Sequence, residues 1–198
     1  NYEAALTEYN RILEQKSRIL KDRFENPALL DILPEYNMRL CQVGALLISY
    51  RARFYEAMEH SAAKFHSQFS GGVENFTLEY KTVSNVKDPF APIPVITNEL
   101  MEHLDRHYRP ELETAQCLTG PHKDDFTVSL SGIDLKAYGS QGQTRTAAIS
   151  LKLAQRELMG REWGEEPVLL LDDVLSELDP GRQDFVLNQI VSGQVFIT

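Results

Sequence analysis

The sequence is poor in features that would commit it to several common classes. It has two cysteines among 198 residues, Cys41 and Cys117, and no C-x-x-C pair. That excludes a disulfide scaffold and a zinc ribbon, and it fits the reducing cytosol. No apolar run is long enough to span a bilayer, and no signal peptide stands at the start. Positive charge is in the minority: 20 Lys and Arg stand against 29 Asp and Glu, a formal net charge of −9. A uniformly basic nucleic-acid surface is therefore excluded, and any DNA contact must come from a local patch or from a part outside this sequence. Internal repeats and low-complexity segments are absent as well. What remains is the composition of a globular protein, 42% hydrophobic and 25% charged, long enough for one large domain or two small ones. The chain starts at Asn1 rather than a methionine and stops within a strand-like run, "QVFIT". The expectation is a piece of a longer protein.

Hydrophobic periodicity divides the chain. Residues 1–24 carry Leu6, Tyr9, Leu13 and Leu20 at helical steps, and Asn26-Pro27 breaks the pattern. A longer helix follows, with Leu33, Tyr36, Leu40, Val43, Leu47, Tyr50, Phe54, Ala57 and Ser61 alternating in threes and fours as a heptad-like seam. Pro34 falls near its start, where a helix tolerates it. The two helices read as an antiparallel hairpin, or else as an ordinary pair covering a sheet. "SGG" at Ser70 to Gly72 ends the helix, and "ENFTLEYKTV" alternates like a strand. After the proline-rich connector "KDPFAPIP", Asn98 is the expected cap of a helix running to about Ala115.

Beyond the turn "TGPHKDD", the strand "DFTVSL" and the strand or turn "GIDLKAYG", a strong helix starts at "SQGQ", with Ala147, Leu151, Ala154 and Leu158 inward. "PVLLLDD" is a continuous apolar strand of the kind buried on both faces of a parallel sheet. A helix from about Pro180 and the strand "QVFIT" complete a strand–helix–strand unit. The expected fold class is mixed α/β: a helical arm with a small strand element over 1–115, then half of a sheet domain over 116–198.

Two places carry chemistry. At "YGSQGQTRTA", Gly139 and Gly142 free the backbone at a helix start, and Ser140 and Gln141 bring polar side chains there. A helix start presents unpaired N–H groups and the positive end of its dipole, which favour a phosphate, although most such starts are only caps. At "VLLLDDVLSELDP", Asp172 and Asp173 follow a buried strand, with Glu177 and Asp179 close behind. Adjacent carboxylates repel, a cost that a cation or a reacting proton would offset. A carboxylate at such a strand end is where Mg²⁺ is commonly held beside nucleotide phosphates, and its neighbour is placed to orient or deprotonate a water. A strand that simply surfaces at an Asp-rich turn is the plainer reading.

The order and spelling of these pieces resemble the second half of an ABC-type ATPase head. "GSQGQ" resembles the signature motif, "VLLLDD" the Walker B strand, and "SELD" the D-loop. Over residues 118–198, "TGPHKDDF", "YGSQGQTRTAAISLKLAQ" and "LLLDDVLSELDPGRQ" resemble the RecF family, recombination mediators related to SMC proteins. Over the arm the resemblance rests on helical pattern and position.

It implies that Asp172 holds Mg²⁺ and that Asp173 stands where related transporters place a water-polarising glutamate. Asp173 is one methylene shorter, which implies slow turnover. It implies that Ser140, Gln141, Gly142 and Gln143 form the signature, meeting the γ-phosphate of ATP bound by a second subunit. Ser176 and Asp179 fall on the D-loop that crosses the dimer interface, and the switch position lies beyond Thr198. The motif G-x-x-x-x-G-K-S/T is missing, since no glycine is followed by lysine. In the family that loop precedes the arm, so this chain alone is expected to bind ATP poorly and hydrolyse none. The full protein is then expected to be a weak, DNA-stimulated ATPase acting in recombinational repair and replication restart. It would be an ATP-driven dimer that clamps DNA, cytoplasmic, working with RecO- and RecR-type partners.

Two other functions compete: a divalent-metal nuclease built on Asp172, Asp173 and Glu177, and a non-catalytic interaction module. The nuclease explains the paired acids but not "GSQGQ" or its order relative to them. Elsewhere, His103 and His107 have the i, i+4 spacing of metal ligands but lack a clear third ligand, so a solvated face is expected. His122 and Lys123 either cap the strand after the turn or meet nucleotide or DNA. Lys16, Arg18, Lys21, Arg23, Arg51 and Arg53 form either a phosphate-facing patch or, with acids interleaved, a solvated arm surface. Trp163 is expected to pack at a helix end.

Overall fold

The computed structural model describes all residues except 83, 85, 173–177, 179, 190–192 and 198. By packing, these fall into two compact units. One comprises Asn1–Phe54 and Tyr80–Asp125, the other Tyr55–Glu79 and Phe126–Thr198. The expected single cut after residue 115 follows the order of the sequence, whereas the packing interleaves four segments. One long helix, α2, Leu33–Ser70, supplies residues to both units.

In the first unit, α1 spans Tyr2–Asp22 and is capped by Asn1, whose side chain accepts a hydrogen bond from the Ala4 N–H at 2.9 Å. After a short 3₁₀ turn at Pro27–Ile32, the first part of α2 returns alongside α1. Leu20 packs with Leu33 at one end, Tyr9 and Ile12 with Leu40, Val43 and Leu47 in the middle, and Tyr2 meets Tyr50 edge-on at the other end. This is the antiparallel pair that the periodicity predicts. The heptad seam, however, is continuous only to Leu47, although its last member, Ser61, is buried again. Tyr50, Phe54 and Ala57 are exposed, and burial passes to Ala45, Ile48 and Ala52 and then to Met58, Ala62, His66 and Phe69. A straight helix of 3.6 residues per turn drifts off a 3.5-residue stripe unless a partner supercoils with it.

Helix α3 runs Ile93–Thr114, starting directly after Pro92 and not at Asn98, which lies inside it. Its Pro94 falls in the first turn, where the missing N–H costs nothing. Ile96, Leu100 and Leu104 bury against Cys41, Ala45 and Ile48 of α2.

The six cations read either as a phosphate-facing patch or as a solvated arm surface divide: Arg18, Lys21 and Arg53 are exposed, and the other three are committed within the chain. Lys16 is fully buried and pairs with Glu111 of α3 at 2.6 Å. Arg23 is buried and donates to the carbonyls of Leu20 and Leu112. Arg51 donates to the carbonyl of Pro121 at 2.6 Å. His103 is buried too, with Nδ1 at 2.8 Å from the Thr119 hydroxyl, so the expected solvated face is not found there. Both cysteines are free and buried, and burial pushes the Cys41 thiol up to about 12.

The second unit holds the rest of α2, a three-stranded sheet and the expected strand–helix–strand unit. Strands β1 (Phe76–Lys81), β2 (Asp125–Leu130) and β3 (Ile133–Asp134) lie in that order. A short helix, α4 (Leu135–Tyr138), leads into α5, Gln141–Trp163. Strand β4 (Leu169–Leu171), helix α6 (Pro180–Gln189) and strand β5 (Val195–Ile197) follow, with β4 and β5 parallel. Ala147 and Ala154 of α5 pack on Met58, Ala62 and Phe76, and Leu151 and Leu158 pack against the same cluster. Ile149 and Leu153 meet Leu169, Leu171 and Phe69.

The two-stranded sheet is covered on one face only. Leu169 and Leu171 are buried, whereas Leu170 is 68% exposed and its register partner Phe196 59%. The apolar run predicts burial on both faces, and the chain itself supplies a layer for one. Trp163, expected to pack, is 61% exposed at the end of α5. Among the described residues no helix is long and apolar enough to cross a membrane.

Candidate functional site

Ser140 is the N-cap of α5. Its Oγ accepts from the Gln143 N–H at 3.2 Å, and the Gln143 Oε1 accepts from the Ser140 N–H at 3.1 Å. This reciprocal capping box satisfies two backbone donors and stabilises a helix start by about 1 kcal/mol. The N–H groups of Gln141 and Gly142 lie outside the cap and carry no hydrogen bond among the described residues. They sit at the positive end of the α5 dipole, and Ser140 and Gln141 are exposed.

The two glycines of "GSQGQ" differ. A Cβ at Gly139 would lie 2.6 Å from the Leu135 carbonyl oxygen, so the turn out of α4 itself demands glycine. At Gly142 the nearest atom to an added Cβ is the Arg182 Nη1, at an ordinary contact distance of 3.4 Å, and no positive φ is required. Glycine inside a helix costs about 1 kcal/mol relative to alanine, and packing among the described residues does not require it at 142. The Arg182 guanidinium therefore lies close to the start of α5, on the helix that follows the predicted D-loop.

Gln143 is held by a further group that the sequence does not flag. Its Nε2 donates to the Glu74 Oε1 at 2.8 Å. The other Glu74 oxygen lies 2.9 Å from the Nε2 of His66, a fully buried ring on α2. The Gln143 amide, ahead of the His66 ring and Arg182, holds the Glu74 carboxyl below the usual range, against the upward pull of its partial burial. One sequence sign of His66 existed: it falls on the apolar face between Ala62 and Phe69. Glu74, in the turn after "SGG", had no local signature.

Asp172 is exposed at the C-terminal end of β4. An open cleft of about 570 Å³ runs along α5 from Gln141 through Thr144 to Lys152 and reaches Leu171 and Asp172. From Gln141 to Lys152 the helix covers about 16 Å. A single carboxylate at an open strand end suits Mg²⁺, which keeps waters and phosphate oxygens in its octahedron rather than a protein cage. Among the described residues no three His, Cys, Asp or Glu side chains form a metal cluster. Asp173, Ser176, Glu177 and Asp179 lie outside the described residues, and with them most of the nuclease triad.

The turn Thr119–Asp124 is committed internally. The His122 Nε2–H donates to the Cys117 carbonyl at 3.1 Å, so its Nδ1 accepts from the Tyr9 hydroxyl at 2.7 Å. Burial pulls the His122 ring below its ordinary pKa. Gly120 donates to the Ser84 hydroxyl at 2.8 Å, and the Tyr80 hydroxyl donates to Asp124. Lys123 is exposed. For His122 this is a structural role, which ties the turn to Tyr9 of α1 and to Cys117 rather than to the strand.

No family model matches the chain. The protein called DNA replication and repair protein RecF in Agathobacter rectalis is 39% identical over 197 residues, covering 100% of this chain and 51% of that protein. The RecF of Alkaliphilus oremlandii is 37% identical over 193 residues, with 98% and 52% covered. A solved structure of the recombination mediator protein RecF with ATP superposes on the whole chain with a TM-score of 0.88 at 35% identity, covering 52% of that structure. The chain is homologous to RecF along its whole length. A second RecF structure, described with ATPrS, gives a TM-score of 0.89. The fold of this chain is thus shared with RecF, an ABC-type ATPase fold. The chain spans about half the length of the RecF relatives it matches.

Proposed function

We infer that this chain is the part of a RecF-like ATPase that reads the γ-phosphate of ATP held by a second copy. In that reading the longer protein serves recombinational repair in a RecFOR-type pathway. The solved RecF relatives, described with ATP and in that pathway, support it. Within the chain, Gly142 carries the reading: a helical glycine that packing among the described residues does not require, beside two N–H groups that those residues leave uncapped. An anion approaching the backbone there would be blocked by a Cβ.

Each residue then has a task. Ser140 caps α5 and turns its hydroxyl hydrogen to a phosphate oxygen. Gln141 and Gly142 offer their N–H groups, and Gln143 fixes the cap. Asp172 holds Mg²⁺ at the chain's own nucleotide, where the metal neutralises phosphate charge. Asp173 orients the attacking water, with slow turnover from its short reach. Ser176 and Asp179 meet the second copy. Contacts that exist only while the γ-phosphate is present make dimerisation depend on ATP, and hydrolysis then releases the dimer. The closed dimer clamps DNA, in the cytoplasm, with RecO- and RecR-type partners. This chain alone, lacking a phosphate loop, hydrolyses no ATP.

Light scattering of the full-length protein with Mg²⁺, with and without ATP, tests the reading. Wild type should dimerise only with ATP. Ser140→Arg should stay monomeric, but it also removes the cap. Ser140→Asp separates the two effects, because aspartate caps as well as serine while its charge repels a phosphate. It should melt no lower than wild type and still fail to dimerise. A mass indifferent to ATP, or an ATP-dependent dimer of Ser140→Asp, would sink the reading.

A further inference from the structure

We propose that Glu74 is a positioning residue for the phosphate-facing end of α5, acting through Gln143, and that His66 holds Glu74 in place. The proposal rests on the signature reading above. It adds two residues that lie outside the signature, the Walker B strand and the D-loop.

The hydrogen bonds leave Gln143 one orientation. Its carbonyl oxygen accepts from the Ser140 N–H at 3.1 Å and its NH₂ donates to Glu74 at 2.8 Å, so a flipped amide would lose both. Ser140 alone suffices as a cap, since its Oγ already accepts from the Gln143 N–H. What Glu74 adds is a fixed rotamer for Gln143, and through it a fixed Ser140 backbone and hydroxyl.

Glu74 is itself anchored. Its N–H donates to the Ser70 hydroxyl at 3.4 Å, and Gly71 and Gly72, both at positive φ, shape the loop that carries it. Its second oxygen takes the His66 Nε2–H at 2.9 Å. The far side of the His66 ring faces the Ser150 hydroxyl at 3.4 Å, and that hydroxyl donates to the Thr146 carbonyl at 2.8 Å. The Thr146 hydroxyl in turn donates to the Gly142 carbonyl at 2.7 Å. The network therefore leaves α5 at Gln143 and returns to it at Ser150. The first two turns of the helix are gripped from the loop side and from the core side. Arg182, which lies against Gly142, also acts electrostatically on Glu74, so the carboxylate helps to keep that cation over the same helix end.

The test uses the full-length protein and two readouts. One is the ATP concentration at half dimerisation, by light scattering with Mg²⁺. The other is amide hydrogen exchange at Gln143 and Thr144, whose N–H groups are hydrogen-bonded to Ser140, measured without nucleotide. Glu74→Ala should raise the first at least tenfold, a loss of about 1.4 kcal/mol, and accelerate the second at least tenfold. Glu74→Gln should recover most of both losses. Its amide oxygen accepts from Gln143, and its NH₂ meets His66 in the other tautomer, whose Nδ1–H then points at Ser150. Glu74→Asp, one methylene short of spanning both partners, should behave like Glu74→Ala, and it carries the test if the alanine variant fails to fold. Unchanged exchange in Glu74→Ala and Glu74→Asp overturns the proposal. So does faster exchange with an unchanged ATP response. If wild type itself shows no ATP-dependent dimer, the signature reading fails, while faster exchange in the variants would still uphold Glu74 as the residue that positions this end of α5.

Discussion

Gly120→Ala should destabilise the first unit more than the loss of a turn glycine alone would lead one to expect. Gly120 has φ +125°, in the region that L side chains rarely adopt, and a Cβ there would lie 2.1 Å from the Tyr9 hydroxyl oxygen. Three costs combine. Holding a non-glycine residue in such a conformation costs about 1–3 kcal/mol. Pushing the hydroxyl aside breaks its hydrogen bond to His122 Nδ1, a loss of about 1 kcal/mol or more for a poorly solvated pair. Crowding a packed site adds about 1–3 kcal/mol. A total near 4 kcal/mol corresponds to a fall in Tm of roughly 10 °C for a chain of this size, readable by circular dichroism.

Tyr9→Phe isolates the clash. On its own it should cost about 1–2 kcal/mol, because it leaves the His122 nitrogen without its donor. Combined with Gly120→Ala it should cost less than the sum, because the atom at 2.1 Å is gone and the next neighbours lie at 3.3 Å. A Gly120→Ala variant melting within about 2 °C of the parent, or full additivity in the pair, would refute the reasoning.

Two further outcomes concern the same unit. Burial, the largest cause, lowers the pKa of both His122 and His103 from 6.5. Both therefore fold neutral, and the stability they contribute is whole above about pH 6.5 and is lost as pH falls from there through their folded pKa values. Tm should drop between about pH 7.5 and 5.5, with a shallower drop in His103→Asn; a flat profile would refute buried, neutral rings. At the Lys16–Glu111 pair, Lys16→Met should cost about 3–5 kcal/mol by stranding a buried carboxylate. Adding Glu111→Gln should recover at least half of that in urea melts, because the amide oxygen can still accept from the Leu118 N–H as Glu111 does now; no recovery would mean that the charge is not the source of the cost.

Local grammar was legible in the sequence. Ser140 and Gln143 stand three apart, the spacing of a capping box, and the box is there. The parallel pairing of β4 and β5 across α6, and the antiparallel return of α2 along α1, followed from period and punctuation. Long-range partnership was not legible. Lys16 looked like one of a row of surface cations until α3 brought Glu111 beneath it, 95 positions later. Nothing in "VLLLDD" separates Leu169 from Leu170; which one is covered depends on whether a second layer is present. His66 and Glu74 acquire a role only when α5 arrives from seventy residues further along.

The two glycines of "GSQGQ" show where sequence and structure must be combined. In the sequence both look like freedom at a helix start. The structure assigns Gly139 to an internal cause, the Leu135 carbonyl, and finds ordinary contact and ordinary backbone angles at Gly142. A helix that carries glycine at its second position gives up about 1 kcal/mol relative to alanine. Packing among the described residues returns nothing for that loss. In the reading proposed above, the compensation comes from an anion that approaches the Gln141 and Gly142 amides at a dipole end flanked by Arg182.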